Sequence, residues 1–254
     1  MGTYTLEEMH GELVKLLRLR STPVGIKFVK RKEDLDKIPK IRYSDKRFSA
    51  CMLICQAISN NWTVAVLPEY IHSDYCRTIH GLFGVDERFK SGKMFVGAWH
   101  ADDAAASAHH NALTIADHKY EALAVSPLTA GRIPDPDVCL VYLTPGQLFM
   151  LLSGYVYHQY EKLDFTFVGE STCADSWVRA FVTGKPSVGI PCFAERKFGC
   201  VQDDEMALAL SPAQLERAIE GLAALSKNGL RYPIAPYSIS CDMMAGLPKS
   251  YLPF

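Results

Sequence analysis

Asp137-Val138-Cys139-Leu140-Val141-Tyr142-Leu143-Thr144-Pro145-Gly146-Gln147 holds a complete strand-to-helix junction in one short run. Its first part is almost continuously apolar, the pattern of a strand buried on both faces. The second part is a helix start: Thr144 supplies the N-cap, Pro145 takes the first helical position, and Gln147 completes a capping box. Strand and helix follow one another here with no intervening loop.

Similar punctuation recurs downstream. A helix is expected over 147–157 and a strand over 165–168. The next helix is opened by Ser171 or Thr172 and stopped by Gly184-Lys185-Pro186. A strand is expected over 187–190 and an extended stretch over 206–210, after which Ser211-Pro212-Ala213-Gln214 caps a helix running to about Leu225. Upstream, Thr5 and Glu8 form a capping box ahead of Leu6, Met9, Leu13, Leu16 and Leu17 at helical spacing. Pro23 closes that helix, and 24–29 reads as a strand. The charged run 30–40 reads as a solvated loop or short surface helix. Helices over 48–59, 75–82 and 101–108 and a strand over 63–67 complete the first half. This alternation predicts an α/β fold, with a mixed α+β arrangement as the alternative, in which a partly parallel sheet is flanked by helices. The expected organisation is one compact unit over 1–254, built of sub-halves 1–130 and 131–228. The Pro- and Tyr-rich tail 229–254 is expected to wrap the surface or an adjoining subunit of a homo-oligomer.

Composition narrows the function. Lys plus Arg (27) and Asp plus Glu (28) nearly cancel, so no basic surplus exists to neutralise phosphates, and nucleic acid is not an expected partner. No apolar run reaches the length of a membrane-spanning helix. The start Met1-Gly2-Thr3-Tyr4 lacks the basic and apolar regions of a secretory signal, so a cytoplasmic location is expected. Eight cysteines in a chain of 254 residues then point away from a disulfide framework and towards metal binding, redox work or thiol chemistry.

Cys173 falls at the start of a helix that follows a strand, where free amide groups stabilise a thiolate. Cys192 follows the next strand, just past Pro191. Cys55 and Cys76 form a similarly spaced pair in the first half, which suggests a site at the junction of the two halves. For any single cysteine, a packing role is as frequent as ligation. No C-x-x-C pair is present, and Cys51 and Cys55 share a helix face as any two core residues do. His72, Cys76 and His80 recur every four residues, but Ser73-Asp74 reads as a cap that takes His72 off the helix. The adjacent His109 and His110 diverge and are assigned no ligand role. Nucleotide-loop, hydrolase-elbow and zinc-protease motifs are missing.

Several segments together resemble a known family: Pro23-Val24-Gly25-Ile26-Lys27-Phe28; Arg47-Phe48 with Cys55-Gln56-Ala57; His72-Ser73-Asp74-Tyr75-Cys76; Ser126-Pro127-Leu128 and Pro134-Asp135-Pro136-Asp137-Val138; Thr172-Cys173-Ala174-Asp175; and Gly189-Ile190-Pro191-Cys192 with Arg196 and Asp203-Asp204-Glu205. In this order they are similar to the family of domain of unknown function 169, over roughly Thr5 to Leu225. Two departures stand out: Arg77-Thr78-Ile79 and Ala194 occupy places where that family tends to carry glycine. The resemblance carries over Cys55, Cys76, Cys173 and Cys192 as the ligand set and leaves out Cys51, Cys139, Cys200 and Cys241. Arg196 and Asp175 are the candidate catalytic side chains beside it.

Four thiolates suit a 4Fe–4S cluster or, alternatively, zinc. Structural zinc draws its ligands from short local knuckles, so a widely dispersed set fits the cluster better. The expected function is an iron–sulfur or other Cys₄ protein serving oxidoreductase or lyase chemistry on a small molecule. The alternatives are an electron-transfer or sensing protein without a substrate of its own, which would meet a redox partner protein, and a metal-free thiol protein or binding module.

Overall fold

A computed structural model describes residues 4–236 together with 248 and 250. Among these residues the helices are α1 Leu6–Leu17, α2 Ala50–Asn60, α3 Asp74–Ile79, α4 Glu87–Ser91, α5 Asp103–Ala112, α6 Pro145–Tyr155, α7 Thr172–Asp175, α8 Trp177–Thr183, α9 Phe193–Phe198 and α10 Pro212–Lys227. The strands are β1 Val24–Val29, β2 Ile41–Tyr43, β3 Thr63–Val66, β4 Ala122–Pro127, β5 Val138–Leu143, β6 Ser187–Gly189 and β7 Met206–Leu210. All seven strands join one sheet in the order β2-β3-β4-β1-β5-β7-β6.

The capping boxes at Thr5, Thr144 and Ser211 all form and open α1, α6 and α10. β5 is buried along its whole length and feeds both faces of the sheet. Val138, Leu140 and Tyr142 enter one core with residues of α2, α3 and α8. Cys139, Val141 and Leu143 enter the other, beneath α1, α6 and α10. The outcome is a three-layer α/β/α arrangement, with the sheet between two helical layers. α6 and α10 approach closely enough that a Cβ built on Gly221 would collide with the Gly154 carbonyl.

The sheet differs from expectation in its directions: only β2 and β3 pair in parallel, and every other neighbouring pair is antiparallel. The strand expected over 165–168 does not form, so no parallel crossover follows β5. That segment is irregular and is held by Asp175, whose carboxylate accepts from the Thr166 hydroxyl and the Val168 amide, each at 2.8 Å. β4 was not anticipated. Ala122-Leu123-Ala124-Val125 has no polar alternation because all its positions are buried between β1 and β3. The charged run after β1 forms a 3₁₀ turn over Lys32–Lys37. The single helix expected after Ser171 is broken into α7 and α8 at Ser176. Most of the tail 229–254, with Cys241, lies outside the described residues.

Candidate thiol site

On the sheet face covered by α2, α3 and α8, Cys76 and Cys173 come from distant segments and pack into one core. Ser49 caps α2 by accepting from the Met52 amide, which sets the helix register and places Cys51 and Cys55 one turn apart. Ser73 caps α3 and accepts from the amide of Cys76 itself. This cap leaves His72 outside the helix, with its Nδ1 beside the Phe48 carbonyl at 3.4 Å. Cys173 sits in the single turn α7, its sulfur 3.3 Å from the Ser171 hydroxyl. Cys192 precedes α9, and its amide donates to Thr172 Oγ1 at 2.5 Å, which couples the Cys173 and Cys192 segments.

Burial pushes the Cys51 thiol well above its ordinary value, and Glu195, Cys173 and Cys76 add to the shift. Burial raises Cys76 to about 11, with Glu195 and Cys192 contributing. Cys173 is also driven well up, first by burial and then by Cys76, with Cys192 and Glu195 among the further causes. A cluster of this kind holds protons as neutral thiols until a cation or an oxidant arrives. Glu195 is fully buried against it; Tyr142 donates to its Oε1, and burial raises its carboxyl.

The expected ligand set meets the structure unevenly. Cys76, Cys173 and Cys192 carry free thiols, Cys76 being buried and the other two partly exposed. Cys55 is joined to Cys200 by a disulfide, with Cα atoms 5.5 Å apart. Packing of α2 beside α9 and the turn that follows it brings these two residues together. Among the described residues, no three His, Cys, Asp or Glu side chains are drawn together at coordination geometry. His80, a candidate ligand by spacing, has both nitrogens engaged. Nδ1 donates to the Cys76 carbonyl at 2.7 Å and Nε2 accepts from the Trp177 indole at 3.0 Å, while burial pulls its pKa down to about 4.

Arg196 and Asp175, the candidate catalytic side chains, both brace backbone. Arg196 donates to the carbonyls of Pro191 at 3.1 Å and Gln202 at 2.9 Å, and Asp175 holds 166–168 as described. Within the acidic run, Asp204 pairs with Arg20 at 2.5 Å, and Glu205 accepts from the Gln202 amide. Sequence reasoning did not find Cys51, Glu195, Tyr142 or Cys200 as members of this site. Glu195 lies in a charged stretch, Phe193-Ala194-Glu195-Arg196-Lys197, that reads as surface; nothing local marks it as buried.

The molecule is thus a three-layer α/β protein with several cysteines on the sheet face covered by α2, α3 and α8. The chain belongs to DUF169, described as an uncharacterised ArCR family, which matches residues 12–221. It is similar to Uncharacterized protein MJ0308 of Methanocaldococcus jannaschii, with 22% identity over 87% of this chain and 95% of that relative. No solved structure matches it. No helix among the described residues is long and apolar enough to cross a membrane.

Proposed function

We propose that this chain is a cytoplasmic thiolate-metal protein, holding a 4Fe–4S cluster and serving redox or lyase chemistry on a small molecule. One observation carries the reading: Cys76 and Cys173, from segments far apart in sequence, pack into one core, and the Cys192 amide donates to Thr172 Oγ1, next to Cys173, at 2.5 Å. In the reduced protein Cys76, Cys173 and Cys192 would be the ligands, with Cys55 as the fourth once its bond to Cys200 is opened. A reducing compartment supplies that condition. Such a cluster would supply one-electron transfer, or a Lewis-acidic iron if one of the four cysteines did not ligate. This chain's own residues would exclude water and hold a proton at Glu195 Oε1–Oε2, against Tyr142. Beside the partly exposed Cys192, Ile190 and Phe193 are about half exposed and Trp99 meets Phe193 edge-on, an apolar lip suited to a substrate or redox partner.

The disulfide favours a second reading, a metal-free dithiol–disulfide protein. There, two electrons and two protons convert the Cys55–Cys200 bond to two thiols at the expense of an external dithiol. One experiment separates the two. Protein purified anaerobically with a thiol reductant and supplied with iron and sulfide should gain broad visible absorbance with matched iron and acid-labile sulfide. Cys173→Ala should lose both, while Cys139→Ala, which lies on the opposite sheet face, keeps them. Zinc alone would replace the cluster with a zinc site. Colourless, metal-free protein that cycles reversibly between dithiol and disulfide would select the second reading.

A further inference from the structure

The segment that leads into α5 is pressed onto that helix. Gly92, in the left-handed region at φ 62°, passes so close that a Cβ there would meet the Ala106 carbonyl. Beyond the 3₁₀ turn Lys93–Phe95 the chain folds back on itself. The Phe95 carbonyl accepts from the amides of Trp99 at 2.9 Å and His100 at 3.2 Å, and the His100 carbonyl accepts from the Gly97 amide at 2.7 Å. This turn holds His100 against the last turn of α5, which carries His109 and His110.

Adjacent on the helix, the two α5 histidines diverge. His110 packs into the core among Tyr75, Phe89 and Phe95, with Nδ1 donating to the Phe89 carbonyl at 2.6 Å. His109 meets His100, their ring centroids 4.8 Å apart and their planes tilted by 42°. His100 Nε2 and both ring nitrogens of His109 are buried and have no hydrogen-bond partner among the described residues. A buried nitrogen without a partner is destabilising, and three together point to a ligand. Burial, with His100 and His110 adding, pulls the His109 pKa down to about 4, while the Val168 carbonyl, near but outside hydrogen-bond geometry, opposes the shift. The imidazole is therefore neutral at physiological pH, the form that binds a metal.

From this pair of unpartnered rings we infer that His100 and His109 together bind a borderline divalent transition metal, with water completing its coordination, independently of the thiol site. Two imidazoles holding one ion through nitrogens at about 2.0–2.1 Å, with roughly 90–110° between them, have ring centroids about 4.5–5.2 Å apart. The observed spacing falls inside that range. The last turn of α5 also presents the negative end of the helix dipole, which favours a cation. Two protein ligands agree with the absence, among the described residues, of any group of three at coordination geometry. Such an ion would clip the turn at 92–100 to α5.

The test is a cobalt(II) titration of the full chain in oxygen-free buffer, with zinc(II) as competitor. Cobalt held by imidazole and water gives visible bands without the intense near-ultraviolet sulfur-to-metal band of a thiolate site, so the two kinds of site are told apart. One equivalent should bind with the imidazole spectrum, equally in the parent and in Cys173→Ala, and zinc should displace it. His100→Gln, in the turn, and His109→Gln, on the helix, should each weaken that binding at least tenfold. His158→Gln, at an exposed position, should leave it unchanged. Bound metal should raise the melting temperature of the parent but not of His109→Gln. No binding at millimolar cobalt, a near-ultraviolet sulfur band with every equivalent bound, loss of binding in Cys173→Ala, or undiminished binding in both glutamine variants of the pair would overturn the assignment.

Discussion

Glu170 stands between the irregular segment after α6 and the turn that carries Cys173, with one carboxylate oxygen, Oε2, buried and without a hydrogen bond. Burial raises its pKa to about 7. A carboxyl raised in the folded state favours folding fully below its unfolded pKa and loses that contribution as pH climbs through the folded value. Thermal stability should therefore decline between pH of about 4.5 and 7 and flatten above, whereas Glu170→Gln should lack this decline and melt higher at pH 8. Parallel melting curves for the two proteins across that range would refute the assignment. At this scale the sequence singles out Cys76, Cys173 and Cys192 through the motifs around them, whereas nothing local marks Cys51 or Glu195. A cysteine four residues from another and a glutamate in a charged stretch look like core and surface until the neighbouring helices are placed.

Local capping chemistry settles where α1, α6 and α10 begin, and it was fully legible, because an N-cap and its partner lie within one turn. Where helices meet, the governing residues are small. Gly154 and Gly221 let α6 and α10 touch through backbone, with Gly221 facing the Gly154 carbonyl and Gly154 facing Ala218 and Leu222. A methyl at Gly221 must force the helices apart, at a cost of about 1–3 kcal/mol that outweighs the roughly 1 kcal/mol gained in helix propensity. Gly221→Ala should thus lower the melting temperature by about 2–4 °C per kcal/mol lost. Gly11→Ala, in α1 with open space around it, should raise stability by about 0.5–1 kcal/mol. Calorimetry of the pair checks both signs; stabilisation by Gly221→Ala would mean the helices slide freely.

Across the whole molecule, the Cys55–Cys200 bond ties two positions 145 residues apart. In the chain-entropy picture a loop of that length contributes up to about 5 kcal/mol by restricting the unfolded chain. Metal-free Cys200→Ser should unfold at lower denaturant by no more than that amount, and adding a dithiol should destabilise the parent protein but leave the variant unchanged. Equal sensitivity of both to the reductant would show that the bond contributes nothing. The same long-range closure assembles the thiol cluster: α2 and α3 come from the first half, while α7, α9 and the turn at Cys200 come from the second.

The α/β class, the capped helices, most strands and the segments that carry family membership are legible along the chain. These are properties of neighbours in the chain, readable from periodicity, caps and short motifs. Strand direction, the buried strand β4, the pairing of Cys55 with Cys200 and the burial of Glu195 emerge once the chain is folded. Each of these depends on which distant segments pack together. A buried alanine-rich strand has no alternation to announce it, and a disulfide partner is chosen by the distance between helices rather than by spacing along the backbone.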